Sequence, residues 1–107
     1  MRAVKVEFHR LALKDYDDAC KWYAERSASA AKWFEEAVDE AMIRISEAPE
    51  SLPRLSGPYR RVRVRRFPYI LVFRPRQADE MVVVAVAHTS RQPGALRRQL
   101  NPATRRG

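Results

Sequence analysis

The spacing of apolar residues changes twice along this chain, and those two changes limit its fold more than any other feature. Val4, Val6 and Phe8 alternate with polar residues, which predicts a strand with one buried face. From about residue 11 the apolar residues fall at helical spacing instead. Alternation and short apolar runs return over Tyr59–His88. The predicted order is therefore one strand, a helical region and a group of strands.

The helical region divides into two amphipathic helices, which we predict over residues 11–27 and 29–48. Ser29 is the predicted N-cap of the second helix, because a serine hydroxyl accepts a hydrogen bond from a free backbone N–H in the first turn. Pro49 ends that helix, since proline cannot continue the backbone ladder. Two helices joined by so short a connection are expected to form an antiparallel hairpin.

The first strand of the C-terminal group alternates arginine with valine. Arg61, Arg63 and Arg65 are therefore predicted to point to one side, and Val62 and Val64 to be buried on the other.

The last strand is a continuous apolar run, Met81–Ala87, which is typical of a central strand. Short connections between neighbouring strands predict an antiparallel three-stranded meander over Tyr59–His88, with the N-terminal strand at one edge. The helical hairpin would cover one face of this sheet. The prediction is an α+β fold with a curved antiparallel sheet, forming one domain over residues 1–100, followed by a flexible tail over residues 101–107.

Charge is distributed unevenly between the two halves of the chain. Residues 1–50 contain eight Lys or Arg against eleven Asp or Glu, whereas residues 51–107 contain thirteen Arg and only two acids. The net charge of +8 therefore comes from the C-terminal half. A half-molecule of this kind is expected to meet an acidic partner, either a nucleic acid or an acidic protein.

Several classes of protein are disfavoured by composition. The chain contains no apolar run of the ~20 residues that a membrane helix needs, and its first residues do not resemble a signal peptide. Cys20 is the single cysteine and is expected to be a small packing residue in a reducing cytoplasm. His9, His88 and Cys20 are scattered, so neither a metal nor another cofactor is expected.

Three segments together resemble a known family. They are Trp22–Arg26 (WYAER), Arg65–Phe73 (RRFPYILVF) and Val84–Gly94 (VAVAHTSRQPG). In combination they are similar to the ParE branch of the RelE/ParE toxins of type II toxin–antitoxin systems, also called plasmid-stabilisation proteins. The resemblance extends from about Val4 to Leu100. Each segment also has a purely structural interpretation, as a helix end, a hairpin corner and a strand end.

The resemblance implies two different activities. RelE-like toxins cut messenger RNA on the ribosome, whereas ParE-like toxins poison DNA gyrase. Arg61 and Arg63 match two cations of the nuclease pattern, but Ile70, Thr89 and Ala95 stand where that pattern has arginine, arginine and tyrosine. We therefore expect a gyrase inhibitor with no catalytic residues.

Three alternatives remain open at this stage. His88 and Arg91, with Arg61 and Arg63, would supply a general base and phosphate contacts if the chain were a ribonuclease. ParE-like sequences often have an aromatic pair where this chain has Ala95-Leu96. If this replacement has removed the contact with the target, the chain would instead be an inactive homologue that only binds its antitoxin. A generic RNA-binding domain has the required charge but lacks a stacking motif.

The resemblance also implies an antitoxin as partner. It would be acidic, would fold on binding, and would often carry a ribbon-helix-helix domain. Arginine favours paired contacts to carboxylates, which suits such a partner. The residues expected to bind partners are Arg61, Arg63, Arg65, Arg74, His88 and Arg91.

Overall fold

A computed structural model describes residues 3–90 of the 107-residue chain. It confirms the predicted α+β class. The elements are β1 (Lys5–Phe8), α1 (Arg10–Ala24), α2 (Ala28–Glu47), a single 3-10 turn (Pro49–Ser51), β2 (Arg54–Ser56), β3 (Tyr59–Val64), β4 (Tyr69–Gln77) and β5 (Glu80–His88). The tail predicted over residues 101–107 lies outside the described residues.

The five strands form one sheet in the order β1-β5-β4-β3-β2. The meander of β3, β4 and β5 is antiparallel, as predicted. The prediction of a wholly antiparallel sheet is wrong, because β1 pairs with β5 in parallel, from Lys5 opposite Glu80 to Phe8 opposite Val83. Most of the chain separates these two strands, so no hairpin turn imposes an antiparallel direction, and the helices supply the long connection that a parallel pair needs.

Both helices begin at a side-chain cap. The His9 ring nitrogen Nδ1 accepts a hydrogen bond of 3.1 Å from the Leu11 N–H at the start of α1. At the start of α2 the Ser27 hydroxyl accepts from the Ala30 N–H at 3.2 Å, so the cap is Ser27 and not the predicted Ser29. The helices otherwise lie within three residues of their predicted bounds.

The main core lies between the helical hairpin and one face of the sheet. Phe34 of α2 is fully buried at its centre and contacts four aromatic rings at centroid distances of 5.1–6.0 Å, those of Tyr16, Tyr23, Phe67 and Tyr69. The sheet contributes further buried apolar side chains to this core, including Val62, Val64, Leu71, Phe73, Val83 and Val86. Each fully buried apolar side chain of this size contributes about 1.5–3 kcal/mol to the free energy of unfolding.

Candidate partner-binding site

Strand β3 presents arginine and valine to opposite faces of the sheet. Val62 and Val64 are buried against the helices, which confirms their predicted position. Arg63 is exposed and Arg61 is half-buried. Arg65 follows the end of β3 and lies in the turn that leads to β4. Its Nη1 is 3.7 Å from Glu40 Oε2 of α2, so Arg65 turns towards the helices, and the prediction that it shares the side of Arg61 and Arg63 is wrong.

We call the side of the sheet that faces away from the helices the second face. Alternation along β3 places Arg61 and Arg63 there together with Tyr59. A second buried cluster lies on this face, formed by Tyr59, Val72, Val82, Val84 and Ala85 with the partly buried Leu55 and Ile70. Because these side chains are buried, they stabilise the sheet.

A β-bulge in β5 decides where His88 points. Val72 pairs with Ala85, and the next residue, Phe73, pairs with Val83, so Val84 is an extra residue in β5. Val84 and Ala85 consequently both point to the second face, and the alternation of the following residues is shifted by one. Val86 joins the main core, and His88 lines a cleft with Val86 and residues of α1, so it points to the helical side.

His88 lies in a cleft of about 400 Å³ between α1 and the end of β5. Its ring meets the Tyr69 ring edge-on at 5.1 Å, and its Nδ1 accepts from the Ser90 N–H at 3.1 Å. The cleft is also lined by Asp15, Asp18, Ala19, Trp22, Tyr23, Pro68 and Val86. The structure therefore places His88 on the opposite side of the sheet from Arg61 and Arg63.

The other members of the nuclease pattern are also dispersed. Ile70 belongs to the second face, and the Thr89 N–H donates to the Pro68 carbonyl at 2.9 Å in a turn. Arg91 and Ala95 lie outside the described residues. Of the three residues named for a ribonuclease that the structure describes, Arg61 and Arg63 lie together and His88 lies apart from them.

Arg74, in β4, is on the second face and only 8% exposed. Its Nη1 donates to the Pro75 carbonyl at 3.1 Å. Its charge also acts on His9: burial, and then the charges of Arg10 and Arg74, lower the pKa of the His9 imidazole below its ordinary value. Arg74 is thus held inside the fold, whereas Arg63 and Arg65 are exposed.

The arginine cleft, as we name it, is a cavity of about 480 Å³ beside β3. Five arginines line it, together with three apolar residues: Arg44, Arg61, Arg63, Arg65 and Arg66, with Leu52, Pro53 and Val62. The Glu40 carboxylate lies beside it, with Oε2 at 2.8 Å from Arg44 Nε and 3.7 Å from Arg65 Nη1. The geometry suits an anionic ligand with some apolar character.

Arg44 and Arg66 were not among the predicted site residues. Arg44 belongs to α2, and its Nη2 donates to the Arg63 carbonyl across the gap between helix and sheet. The sequence held only a weak signal for this position, since Glu40 and Arg44 are spaced four apart on a helix and are expected to pair.

Metal sites and membrane helices are not found in the described part of the chain. Residues 3–90 contain no group of three or more His, Cys, Asp or Glu side chains placed to hold a metal ion. Neither α1 nor α2 is long and apolar enough to cross a membrane.

The sequence model of the ParE toxin of type II toxin–antitoxin systems (parDE) matches residues 6–93. The chain belongs to the ParE toxin family. It is thus a ParE-type toxin of a type II toxin–antitoxin system, and the ParE branch inferred from the three segments is confirmed. The match runs from β1 to β5 and past His88, so Arg61, Arg63 and Arg65 of this ParE toxin lie within the matched region.

A solved structure has the same fold as this ParE toxin. It is titled "Chromosomal ParDE TA system from P. aeruginosa", and its chain superposes with a TM-score of 0.66 at 17% sequence identity. The similarity covers 82% of this chain and 98% of that one. At this identity the likeness concerns the fold alone. A search of curated protein sequences gives no match for the chain.

Proposed function

We propose that this ParE toxin inhibits DNA gyrase when free, and that an acidic antitoxin neutralises it by binding the arginine cleft. The observation that carries the proposal is the excess of cationic residues in the cleft: five arginines line it, and the Glu40 carboxylate pairs with two of them, Arg44 and Arg65. We place this action in the cytoplasm, where gyrase and a newly made antitoxin would both be met.

The chemistry of the cleft supports an antitoxin that provides carboxylates. Arginine donates two parallel hydrogen bonds to a carboxylate, which fixes orientation as well as adding affinity. An antitoxin that is disordered before binding would be ordered by such contacts. The P. aeruginosa ParDE system is a precedent for a toxin–antitoxin pair with this fold. A ribbon-helix-helix domain for DNA binding is the form of antitoxin that we expect here.

Geometry favours gyrase over messenger RNA as the target. Cleavage of RNA through its 2′-hydroxyl needs a proton acceptor and cations that meet at one phosphate. The histidine suited to accept that proton, His88, lies in a cleft beside α1 on the helical side, whereas Arg61 and Arg63 belong to the second face. A missing acid or base typically lowers the rate by ~10²–10⁴, which would leave little RNA cleavage.

Two assays on the purified chain test the choice of target. Gyrase supercoiling with trapping of cleaved DNA should show inhibition, and His88→Ala should leave that inhibition unchanged. Primer-extension mapping on translating ribosomes should show no new message ends. Site-specific message cleavage that is lost in His88→Ala would establish the ribonuclease instead. Inactivity in both assays would favour an antitoxin-binding homologue without a target, the alternative that Ala95-Leu96 left open.

Neutralisation is tested separately with the product of the adjacent reading frame. Replacing Arg61, Arg63 and Arg65 by Gln should weaken binding to that product by about tenfold or more, because hydrogen bonds to charged groups are lost. The matched control replaces Lys14, Lys21 and Lys32, which are exposed on the helices, and removes the same charge. Equal weakening in both variants would show that net charge, and not the cleft, provides the affinity.

A further inference from the structure

A further cavity, of about 640 Å³, lies between α2 and the turn that joins β3 to β4, and we call it the Trp33 groove. Its centre is apolar and is formed by Trp33, Ala37 and Phe67. Phe67 is half-buried and meets the Phe34 ring edge-on at 5.2 Å. The floor of the groove is therefore continuous with the main core, which holds it in place.

Trp33 is the most exposed large apolar side chain among the described residues, at 61%. The other tryptophan, Trp22, is covered in part, by the Tyr23 ring at 5.0 Å and by the Arg26 guanidinium over its face at 3.5 Å. Within residues 3–90, Trp33 has neither kind of contact. Tryptophan is among the residues that dominate binding energy in interfaces, because its ring buries a large area. An uncovered indole at the centre of a groove is typical of a surface that a partner covers.

Charges of opposite sign border the groove on its two sides. Glu36 and Glu40 lie on α2, whereas Arg65 and Arg66 lie in the turn. Glu40 Oε2 is 3.7 Å from Arg65 Nη1. Glu36 and Arg66 are exposed and make no ion pair within residues 3–90. The groove thus offers one carboxylate and one guanidinium to a partner.

The backbone of Arg66 is held in an unfavourable conformation. Its φ of 73° lies in the left-handed region, which glycine or asparagine adopts more readily than arginine does. The turn fixes this conformation through the Phe67 N–H, which donates to the Val64 carbonyl at 3.2 Å. Strain of this kind gathers at positions whose side chains are used. It therefore supports a role for the Arg66 guanidinium at the groove.

The order of the charges selects the partner. An acidic peptide or a nucleic acid would face the repulsion of Glu36, and a basic peptide would face that of Arg66. A second copy of the chain, related by a two-fold axis, places its own Arg66 opposite Glu36 and its own Glu36 opposite Arg66. We propose that two copies of this chain associate through the Trp33 groove as a two-fold dimer, in which the indole of each copy covers the apolar centre of the other.

This self-association goes beyond the proposed function and does not rest on it. One indole and two ion pairs across the axis make a small interface, so a dissociation constant of roughly 10–100 μM is expected. Arg65 and Arg66 also line the arginine cleft. An antitoxin bound there would compete with the second copy for these side chains, a consequence that does rest on the proposed function.

Sedimentation equilibrium of the isolated chain measures the association. Trp33→Ala should raise the dissociation constant by about tenfold or more, because the indole is the centre of the contact. Trp22→Ala is the matched control and should leave it unchanged. In a Trp22→Phe variant Trp33 is the single tryptophan, and its fluorescence should shift to shorter wavelength as concentration rises through the dissociation constant.

Exchange of the two charges tests the two-fold arrangement. Glu36→Arg and Arg66→Glu should each weaken self-association by about tenfold or more, since each places like charges opposite one another. An equimolar mixture of the two variants should associate as the natural chain does, because both ion pairs are restored in the mixed dimer. Glu35→Arg, on another side of α2, makes the same change of charge as Glu36→Arg and should have little effect.

Arg66→Asn separates binding from folding. Asparagine tolerates the left-handed backbone and lacks the guanidinium, so this variant should associate more weakly while its thermal stability is unchanged or raised. A lower thermal stability together with weaker association would show that Arg66 acts through the fold, and would remove the role assigned to its charge.

Three results would overturn the dimer. These are a chain that stays monomeric well above the expected dissociation constant, association that Trp33→Ala does not weaken, and a mixture of Glu36→Arg and Arg66→Glu that remains monomeric. If the chain is monomeric and the product of the adjacent reading frame shifts the fluorescence of Trp33, the groove belongs to the antitoxin and self-association is rejected. The proposed function fails separately, when that product does not relieve inhibition by the toxin.

Discussion

The Asp15 carboxylate accepts a hydrogen bond of 3.1 Å from the Val86 backbone N–H and so ties α1 to β5. Strand β1 pairs with β5 only as far as Val83, so the edge of β5 beyond that point has no neighbouring strand within residues 3–90. The Asp15 carboxylate therefore satisfies a backbone N–H that a neighbouring strand would otherwise pair with. It also holds α1 against β5.

Removal of this contact should destabilise the fold. Asp15→Ala leaves the Val86 N–H without its acceptor, and a buried unsatisfied donor costs about 1–3 kcal/mol. Urea denaturation should show a lower midpoint with an unchanged slope. The control is Asp17→Ala on the exposed side of the same helix, which should change the free energy of unfolding by less than about 0.5 kcal/mol. Equal losses would mean that helix charge, not the contact, is responsible.

The N-cap of α2 gives a second stability prediction. Ser27→Ala removes the hydroxyl that accepts from the Ala30 N–H, and loss of such a cap costs about 0.5–2 kcal/mol. Ser29→Ala, only two residues away, should leave thermal stability unchanged or raise it slightly, since Ala favours helix more than Ser does. Thermal melts of both variants decide between the two serines. A larger loss for Ser29→Ala would restore the cap inferred from sequence.

Alternation in the sequence identified faces correctly where the strands are regular. Val62 and Val64 are buried as predicted because β3 runs without a bulge against β4. The same rule fails in β5, where simple alternation from Val82 would place His88 on the second face. The bulge at Val84 reverses this, and a run of small apolar residues contains no signal for where an extra residue is accommodated.

The direction of β1 and the strand at the other edge of the sheet could not be predicted from the sequence either. A period of two shows that Val6 and Phe8 share a face but not whether β1 runs parallel to its neighbour, which depends on the long connection through the helices. Strand β2 was missed because its three residues lie in a loop rich in proline and glycine. Arg44 was missed as a site residue because helical spacing places it on the polar side of α2. That spacing does not indicate that β3 lies beside it.

Phe34 and Trp33 provide a paired test of the main core. Phe34→Ala should lower the free energy of unfolding by about 3–5 kcal/mol, because it opens a cavity among four aromatic rings. The neighbouring Trp33 is 61% exposed, so Trp33→Ala should cost far less. Chemical denaturation of the two variants gives the comparison. A large loss of stability for Trp33→Ala would mean that the Trp33 indole is packed against other side chains in solution, and is not exposed as it is in the structure.

His9 makes the stability of α1 dependent on pH. Its Nδ1 accepts the Leu11 N–H, and only an unprotonated Nδ1 can do so. Burial and the charges of Arg10 and Arg74 lower the pKa of the folded imidazole below its ordinary value of 6.5. The unfolded chain therefore binds the proton first as pH falls, and stability decreases. The contribution of His9 is fully present above pH 6.5 and is lost as pH falls through the lower, folded pKa.

His9→Asn isolates this effect, because asparagine is a good N-cap that does not titrate. Urea denaturation of the two proteins between pH 8 and pH 5 should show that the natural chain loses stability relative to His9→Asn as pH falls through and below 6.5. His88→Asn is the matched control, since it removes the other histidine of the chain and leaves the cap in place. Parallel pH profiles for the natural chain and His9→Asn would show that the imidazole titrates alike in the folded and unfolded states, and the cap at Nδ1 would then be wrong.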